Sequence, residues 1–350
     1  MAENSLIAVD LFSGMGGLSL GLHRAGFNVV AAVEYETLAA ATYAINHPVT
    51  RLLQRDVWTL SPRAFRQSLG MVKGELDLLA GCPPCQGFSS MRTLNGAKTI
   101  ADERNDLVEA FGDFVAEFRP KAVLMENVPG LIGDRRLIHL CEHLRALGYF
   151  EPSVGVLDAA DYGVPQRRKR ALLMASRVGM VDFPVAARAR KTVRHTISTL
   201  PVPGQSGDPA HDRLPRHSPV VSEIIRSIPH DGGSRLDLGM ERQLPCHKRS
   251  GGFKDVYGRM SWDDVSPTIT SGCVNPSKGR FIHPDQDRAI TIREASLLQT
   301  FPRRYSVPMA RGLNPAAVLI GNAFPPEFAR RQALQISKLL LHKRSRRNGG

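Results

Sequence analysis

Long apolar runs and the pattern of a secretory leader are both missing from the 350-residue sequence. No stretch approaches the roughly 18 consecutive apolar residues of a membrane-spanning helix, and no basic, apolar and small-residue series opens the chain. The five cysteines are an odd number and lack the spacing of a secreted disulfide scaffold. These absences predict a soluble protein of the reducing cytoplasm.

Negative charge is also in short supply, since 33 Asp and Glu stand against 46 Lys and Arg, a net charge of +13. Neutralisation of phosphates drives the binding of basic proteins to polyanions, so nucleic acid is the expected large partner. Net charge alone leaves one alternative open, a soluble protein whose surface carries an excess of positive charge without binding nucleic acid. Apolar residues make up 42% of the chain, which indicates a globular fold with an ample core.

Short apolar runs alternate with helical periodicity over the first 175 residues. The expected strands are Leu6–Leu11, Val29–Val33, Leu76–Ala80, Ala122–Met125, Val154–Leu157 and Ala171–Ala175. The expected helices are Leu18–Ala25, Ala39–Ile45, Asp106–Phe118 and Leu137–Leu147, followed later by Ile292–Leu298 and Phe324–Leu341. This alternation predicts an α/β fold, with a Rossmann-like, doubly wound, mostly parallel sheet that binds ligands at its carboxyl edge.

The amino-acid composition changes after about residue 176, where Pro, Gly, Arg and His become frequent and segments with helical or strand periodicity become rare. We therefore expect a main domain of residues 1–185 and 310–343 and a smaller, irregular domain of residues 186–309. Residues 344–350 are expected to form a frayed basic tail.

A glycine-rich loop follows the first strand and opens the first helix. Gly14, Gly16 and Gly17 let the backbone turn tightly and approach a ligand, and Glu34 ends the next strand, where a carboxylate can accept both hydroxyls of a ribose. The adjacent Gly16 and Gly17 depart from the dinucleotide fingerprint and favour a nucleoside with a compact amino-acid tail. Asp56 could accept a hydrogen bond from an adenine amino group, although a surface Asp without a ligand is the alternative.

The loop after the third predicted strand reads Cys82-Pro-Pro-Cys85. The prolines stiffen it, so Cys85 leaves the strand with few conformational options and is a candidate sulfur nucleophile. A redox dithiol would normally open a helix, and zinc would need a second spaced pair, for which Cys246 with His247 and Cys273 is a poor match. We interpret Cys82 as a small buried residue.

An acid and a cationic run complete the predicted edge of the sheet. Glu126 follows the fourth strand and suits an acid-assisted nucleophilic addition by Cys85. Between residues 166 and 170, alternation places Gln166, Arg168 and Arg170 on one side of a strand. A run with this many positive side chains needs negative groups nearby, either phosphates or the acidic side chains of the site. The alternative is a run of charged residues that is exposed to solvent.

In series, these pieces resemble the cytosine-C5 DNA methyltransferases of bacterial modification type. The similarity covers nearly the whole chain outside about residues 180–255. The matching motifs are the Phe12–Gly17 loop, Pro84-Cys85-Gln86, Arg104-Asn105, Glu126-Asn127-Val128, Gln166-x-Arg168-x-Arg170, Arg293-Glu294-Ala295 to Phe301-Pro302, and Gly321-Asn322-Ala323.

The resemblance implies a DNA (cytosine-5-)-methyltransferase that uses S-adenosyl-L-methionine. Cys85 would add to C6 of the target cytosine, Glu126 would contact N3 and the amino group, and Arg168 would support the adduct, with Gln86 also in the catalytic set. The base would be flipped out of the duplex. Cofactor contacts would come from Phe12, Gly14, Gly16, Glu34, Asp56, Pro84, Leu107 and Asn322.

The resemblance also makes the smaller domain a target-recognition region and residues 87–98 a flap over the base. The candidate DNA contacts are Ser89, Arg92, Gln166, Arg170, Arg235, Arg242, Lys248, Arg249, Lys254 and Arg259. The implied partner is double-stranded DNA, without a membrane or a metal. We further expect a monomer at the nucleoid and treat a restriction endonuclease acting on the same site as a candidate partner.

Two rival functions share the same motifs. An RNA (transfer RNA) cytosine methyltransferase would use the same chemistry, but Gln86-Gly87-Phe88-Ser89 and a full recognition segment favour DNA. A non-catalytic DNA-binding relative is disfavoured because Cys85, Glu126 and Arg168 are all present.

Overall fold

The computed structural model describes residues 5–84, 107–239 and 255–348. Its strands are β1 Leu6–Leu11, β2 Phe27–Glu34, β3 Arg51–Gln54, β4 Leu78–Gly81, β5 Ala122–Asn127, β6 Ser153–Asp158 and β7 Lys169–Ser176. Its helices are α1 Gly17–Arg24, α2 Thr37–Asn46, α3 Pro62–Ser68, α4 Leu107–Phe118, α5 Arg135–Ala146, α6 Val193–Ile197, α7 Pro209–Asp212, α8 Pro219–Ser227, α9 Ile292–Leu298, α10 Leu313–Asn322 and α11 Pro326–Asn348.

Within these ranges the strands form one seven-stranded sheet in the order β3-β2-β1-β4-β5-β7-β6. The β1–β2, β1–β4, β2–β3 and β4–β5 pairs are parallel, whereas β7 runs antiparallel to both β5 and β6. Because the parallel strands are joined through helices, their carboxyl ends meet at one edge. The predicted α/β fold with a mostly parallel, doubly wound sheet is confirmed.

Each expected strand overlaps an observed one, but six of the described strands and helices were not expected, namely β3, α3, α6, α7, α8 and α10. β3 is only four residues long and α3 seven, too short for a clear periodic signal. β7 begins at Lys169, so Gln166 and Arg168 precede the strand. The alternation expected of residues 166–170 therefore does not apply to them.

Contacts within the chain divide the protein into two compact units. Unit 1 comprises Met1–Asp158, Lys169–Ala186 and Phe324–Gly350, and unit 2 comprises Ala159–Arg168 and Ala187–Ala323. Residues 310–323, expected in the main domain, thus belong to unit 2. The functions assigned to the two domains stay predictions.

Aromatic rings dominate the core of unit 1. Phe65 of α3 packs edge-on against Phe114 and Phe118 of α4, with ring centroids 6.2 and 5.7 Å apart. These rings share a buried cluster with Val9 and Leu11 of β1. The neighbouring residues Ala8 and Asp10 point to the other face of the sheet, since side chains alternate along a strand.

The C-terminal helix α11 packs against α1. A Cβ on Gly21 would lie 2.4 Å from Cβ of Ala329, so only glycine permits this approach. The expected frayed tail is wrong within the described residues, because α11 continues to Asn348. Arg344 donates to both oxygens of the buried Asp77 at 3.0 and 2.8 Å, which fastens this part of the helix to unit 1.

Unit 2 has short helices and long irregular segments. The side chain of Arg259 is fully buried and donates to the backbone carbonyls of residues 225, 228, 283 and 286 and to Asp287. Backbone carbonyls that regular structure would satisfy are paired here by a side chain. This arginine therefore stabilises the irregular fold from within.

Candidate active site

The glycine-rich loop adopts the tight conformation that the sequence predicts. Gly14 and Gly16 have φ of 55° and 96°, in the left-handed region that favours glycine. Phe12, although not a glycine, also has a positive φ of 59°. No atom among those described lies within 4 Å of a Cβ built on Gly14, so the loop leaves room beside it.

Glu34 connects this loop to the end of β2. Its Oε2 accepts from the backbone N–H of Gly14 at 2.7 Å, and its Oε1 accepts from that of Glu36 at 2.7 Å. Burial raises the pKa of the carboxyl group, and the two N–H donors oppose that rise. The position of Glu34 is therefore set by backbone bonds that leave lone pairs for further donors.

A surface cavity of about 520 Å³ is lined in part by the residues that follow Glu34 in the sequence. Its lining comprises Tyr35, Glu36, Thr37, Gln54, Arg55, Asp56 and Thr59. Asp56 caps the short 3₁₀ turn Val57–Thr59 and accepts from the backbone N–H of Trp58 at 3.0 Å. Tyr35, 71% exposed, was not singled out from the sequence, although an aromatic residue directly after Glu34 is a signal for a stacking surface.

The other predicted cofactor positions are dispersed. Pro84 is exposed at the end of the first described range, and Leu107 is buried where α4 begins. Asn322 ends α10 and is exposed in unit 2. Their contacts with a cofactor stay predictions.

Glu126 lies near the end of β5 and pairs with an arginine. Nε of Arg170, on β7, is 2.7 Å from Oε1 of Glu126, and the two side chains are 17% and 12% exposed. The antiparallel register of β5 and β7 explains the approach, since Asn127 pairs with Ala171. The carboxylate is thus held by a cation while part of it still faces solvent.

Asn127 links the end of β5 to the loop after β4. Its Nδ2 donates to the carbonyl of Pro83 at 3.0 Å, and its Oδ1 accepts from the N–H of Val128 at 2.8 Å. The amide is buried, so both bonds are shielded from competing water. Asn127 therefore fixes the backbone two residues before Cys85.

A polar network lies beneath the glycine loop, on the α1 face of the sheet. The hydroxyl of Ser19 donates to Oδ2 of Asp10 at 2.6 Å, and the hydroxyls of Ser19 and Tyr43 are 2.7 Å apart. Complete burial raises the pKa of Asp10 to about 7, while the bond from Ser19 lowers it. This network was not predicted from the sequence.

Part of the predicted site lies outside the described residues. These positions are Cys85 and Gln86 of the catalytic set and Ser89, Arg92, Arg242, Lys248, Arg249 and Lys254 of the DNA-binding set. Cys246 and His247, weighed above as zinc ligands, lie outside them too. Among the residues that are described, no group of three His, Cys, Asp or Glu side chains could hold a metal ion.

The predicted role of Arg168 as the cation of the site stays a prediction. Its buried guanidinium donates to the carbonyls of Ile269 and Gly321, both in unit 2, at 3.0 Å each. The structure brings another arginine, Arg170, to Glu126, although Arg170 was expected to contact DNA.

Three further DNA contacts were expected at side chains that are buried. Gln166 is enclosed, with its amide bonded to Oε1 of Gln299 at 3.0 Å and to the N–H of Ile269 at 2.8 Å. Arg235 is 2% exposed, and Arg259 is the fully buried scaffold residue described above. The DNA contacts expected of these three residues stay predictions.

Comparison with known proteins supports the family that the motifs indicate. Residues 6–338 match the model of the C-5 cytosine-specific DNA methylase family. The Type II methylase M.HgiDII of Herpetosiphon aurantiacus is 34% identical, with 97% of each chain covered. The Type II methyltransferase M.XorII of Xanthomonas oryzae is 32% identical, with 96% of this chain and 86% of that protein covered.

Comparison with solved structures supports the same family. A prophage-encoded E. coli protein, crystallised as a candidate DNA modification methyltransferase, superposes with a TM-score of 0.72 at 25% identity, covering 96% of this chain and 100% of the other. The chain therefore belongs to the C-5 cytosine-specific DNA methylase family. The predicted activity, DNA (cytosine-5-)-methyltransferase, is confirmed at this level. Within the described ranges, no helix is long and apolar enough to cross a membrane.

Proposed function

We propose that the protein methylates C5 of a cytosine flipped out of a specific duplex DNA sequence, through a temporary bond between Cys85 and C6 of the base. The observation that carries this proposal is the pairing of Glu126 with Arg170 at the end of β5, beside the loop that leads to Cys85. An acid, a cation and a tethered nucleophile are the groups that this addition needs.

S-adenosyl-L-methionine fits the residues present as the methyl donor. The carboxylate of Glu34 suits ribose hydroxyls, the room beside Gly14 suits a compact amino-acid tail, and the cavity bounded by Tyr35 and Asp56 suits an adenine. When bound there, the cofactor supplies an electrophilic methyl group. Phe12, Gly16, Pro84, Leu107 and Asn322 stay in the proposed set of contacts.

The residues of the chain would act in sequence. The thiolate of Cys85 forms a bond to C6 while Glu126 gives a proton to N3, which makes C5 nucleophilic. After C5 has taken the methyl group, a water molecule takes the C5 proton. The electron pair of that C–H bond forms the C5–C6 double bond as the C6–S bond breaks and the thiolate leaves, and Glu126 recovers the proton from N3. We assign to Arg170 the role of supporting cation that the resemblance implied for Arg168, because the guanidinium of Arg170 contacts Glu126 directly.

DNA recognition is assigned to the smaller domain. Arg242, Lys248, Arg249 and Lys254 remain the proposed contacts there, with Ser89 and Arg92 in the loop over the base. Two relatives are named Type II methylases, and a cognate restriction endonuclease is the partner that such a name suggests. We further propose a monomer that works at the nucleoid in the cytoplasm, which light scattering and cell imaging would test.

Methyl transfer tests the proposal. The purified full chain with labelled S-adenosyl-L-methionine should label cytosine in mixed genomic DNA, and bisulfite sequencing should show one recurrent target sequence. Label in transfer RNA alone would establish the RNA-modifying rival. Label in neither polymer would support a non-catalytic DNA-binding relative.

A further inference from the structure

Cys82 lies beside Glu126 because of the register of two strands. The parallel pairing of β4 and β5 ends with Gly81 opposite Met125, and the next residues on the two strands are Cys82 and Glu126. The backbone N–H of Cys82 donates to the carbonyl of Leu11 at 3.3 Å. This bond fixes the residue at the carboxyl edge of the sheet.

The register places the thiol of Cys82 next to the side chain of Glu126, and an interaction with that side chain is among the causes that raise the pKa of the thiol. Burial raises the pKa of this thiol well above its usual value, and the nearby charges of Glu126 and Asp10 add to the rise, while Arg170 opposes it. The sulfur therefore keeps its proton and acts as the donor. It is also a poor nucleophile in this state, which separates Cys82 from the proposed role of Cys85.

Glu126 consequently has two donors of different kind. Arg170, from β7, supplies a positive charge, and Cys82, from the end of β4, supplies a neutral S–H. The carbonyl of the next residue, Pro83, is held by Asn127 at 3.0 Å. The segment that leads into the Cys85 loop is thus bonded twice to the end of β5.

We propose that Cys82 is a positioning residue for methyl transfer, whose S–H orients the Glu126 carboxyl toward the base and stabilises the carboxylate formed when Glu126 gives up its proton. The inference rests on the proposed function of Glu126 as the acid. A hydrogen bond to an ionised acceptor is stronger than one to a neutral acceptor. It therefore gains strength as the proton leaves, which lowers the barrier instead of merely tightening binding.

Two substitutions separate a hydrogen-bond donor from a space-filling side chain. Cys82→Ala removes the donor, and Cys82→Ser keeps one. The measurement is the single-turnover rate at which the full chain, with S-adenosyl-L-methionine, forms a covalent adduct with duplex DNA carrying 5-fluorocytosine, followed between pH 6 and 9. Cofactor KM and DNA affinity are measured in parallel.

We expect Cys82→Ala to slow adduct formation about five- to tenfold, the effect of one ordinary hydrogen bond from a weak S–H donor. Cofactor KM and DNA affinity should stay within about twofold, and Cys82→Ser should restore the rate to within about twofold of wild type.

Cys141→Ala on α5 is the matched control, since it removes the other partly buried cysteine described in unit 1 and should leave the rate unchanged. Cys82→Ser as slow as Cys82→Ala, or a Cys82→Ala rate equal to that of wild type, overturns the proposal. If Cys82→Ala does not fold, a slow Cys82→Ser with normal folding overturns it equally. Wild-type protein that forms no adduct and methylates nothing would instead defeat the proposed function.

Discussion

Arginine has two different roles in the two units of this protein. In unit 1, Arg170 extends from a strand of the regular sheet and pairs with the carboxylate of Glu126. In unit 2, Arg259 is fully buried and donates chiefly to backbone carbonyls. A sheet satisfies its own backbone, so polar side chains at its edge remain available for chemistry, whereas an irregular fold needs side-chain donors for its carbonyls.

The largest effect is expected at the sheet edge of unit 1. Glu126→Gln keeps the shape of the side chain but removes the acid, so methyl transfer should fall by roughly two to four powers of ten. DNA affinity should be retained, since most of it comes from phosphates. Turnover close to wild type with weakened DNA binding would contradict the role given to Glu126, and both quantities come from a methylation assay and a DNA titration.

The second-largest effect is expected on the stability of the protein, from a substitution in unit 2. Arg259→Met leaves several buried carbonyls and Asp287 without their donor, which should reduce the free energy of unfolding by about 3 kcal/mol or more. Arg226→Met is the matched control, because this arginine is exposed and, among the described residues, its ion pair is with the exposed Glu223. Its change should stay within about 0.5 kcal/mol. Equal denaturation midpoints for the two variants would remove the distinction between the units.

Substitutions of two arginines close together in the sequence compare a role in catalysis with a role in stability. Arg170→Gln should lower the rate of adduct formation roughly ten- to a hundredfold with little change in melting temperature, because it removes charge stabilisation from Glu126. Arg168→Gln should mainly lower the melting temperature, since it leaves the carbonyls of Ile269 and Gly321 without a donor. The opposite pattern would return the catalytic role to Arg168.

The smallest effect concerns the buried network beneath the glycine loop. The pKa of Asp10 is about 7 in the folded protein, against an ordinary value of 3.8, so the wild type loses stability as pH rises through that window. Asp10→Asn cannot ionise, and its unfolding free energy should fall less between pH 4 and 8, by about 1 kcal/mol or more. Urea titrations across this range measure it, and parallel curves for the two proteins would contradict the burial of a proton at Asp10.

The sequence predicted the parts of the fold that repeat and missed those that depend on burial. Strand ends carrying Glu34 and Glu126 could be located because apolar runs mark strands and the next polar residue marks the edge. The Arg170–Glu126 pair required the starting residue of β7, which periodicity does not fix to within a residue or two. Arg259 and Gln166 were interpreted as surface residues because buried arginine and glutamine are rare. No local sequence pattern indicates that these two side chains are buried.

Trapping the covalent intermediate tests the central claim most directly. The full chain is incubated with S-adenosyl-L-methionine and duplex DNA carrying 5-fluorocytosine at the methylated position, then digested and analysed by mass spectrometry. Fluorine cannot leave as a proton does, so DNA should remain bonded to the peptide that contains Cys85, and Cys85→Ala should give no adduct. Wild-type protein without an adduct, or the same adduct in Cys85→Ala, would contradict the account.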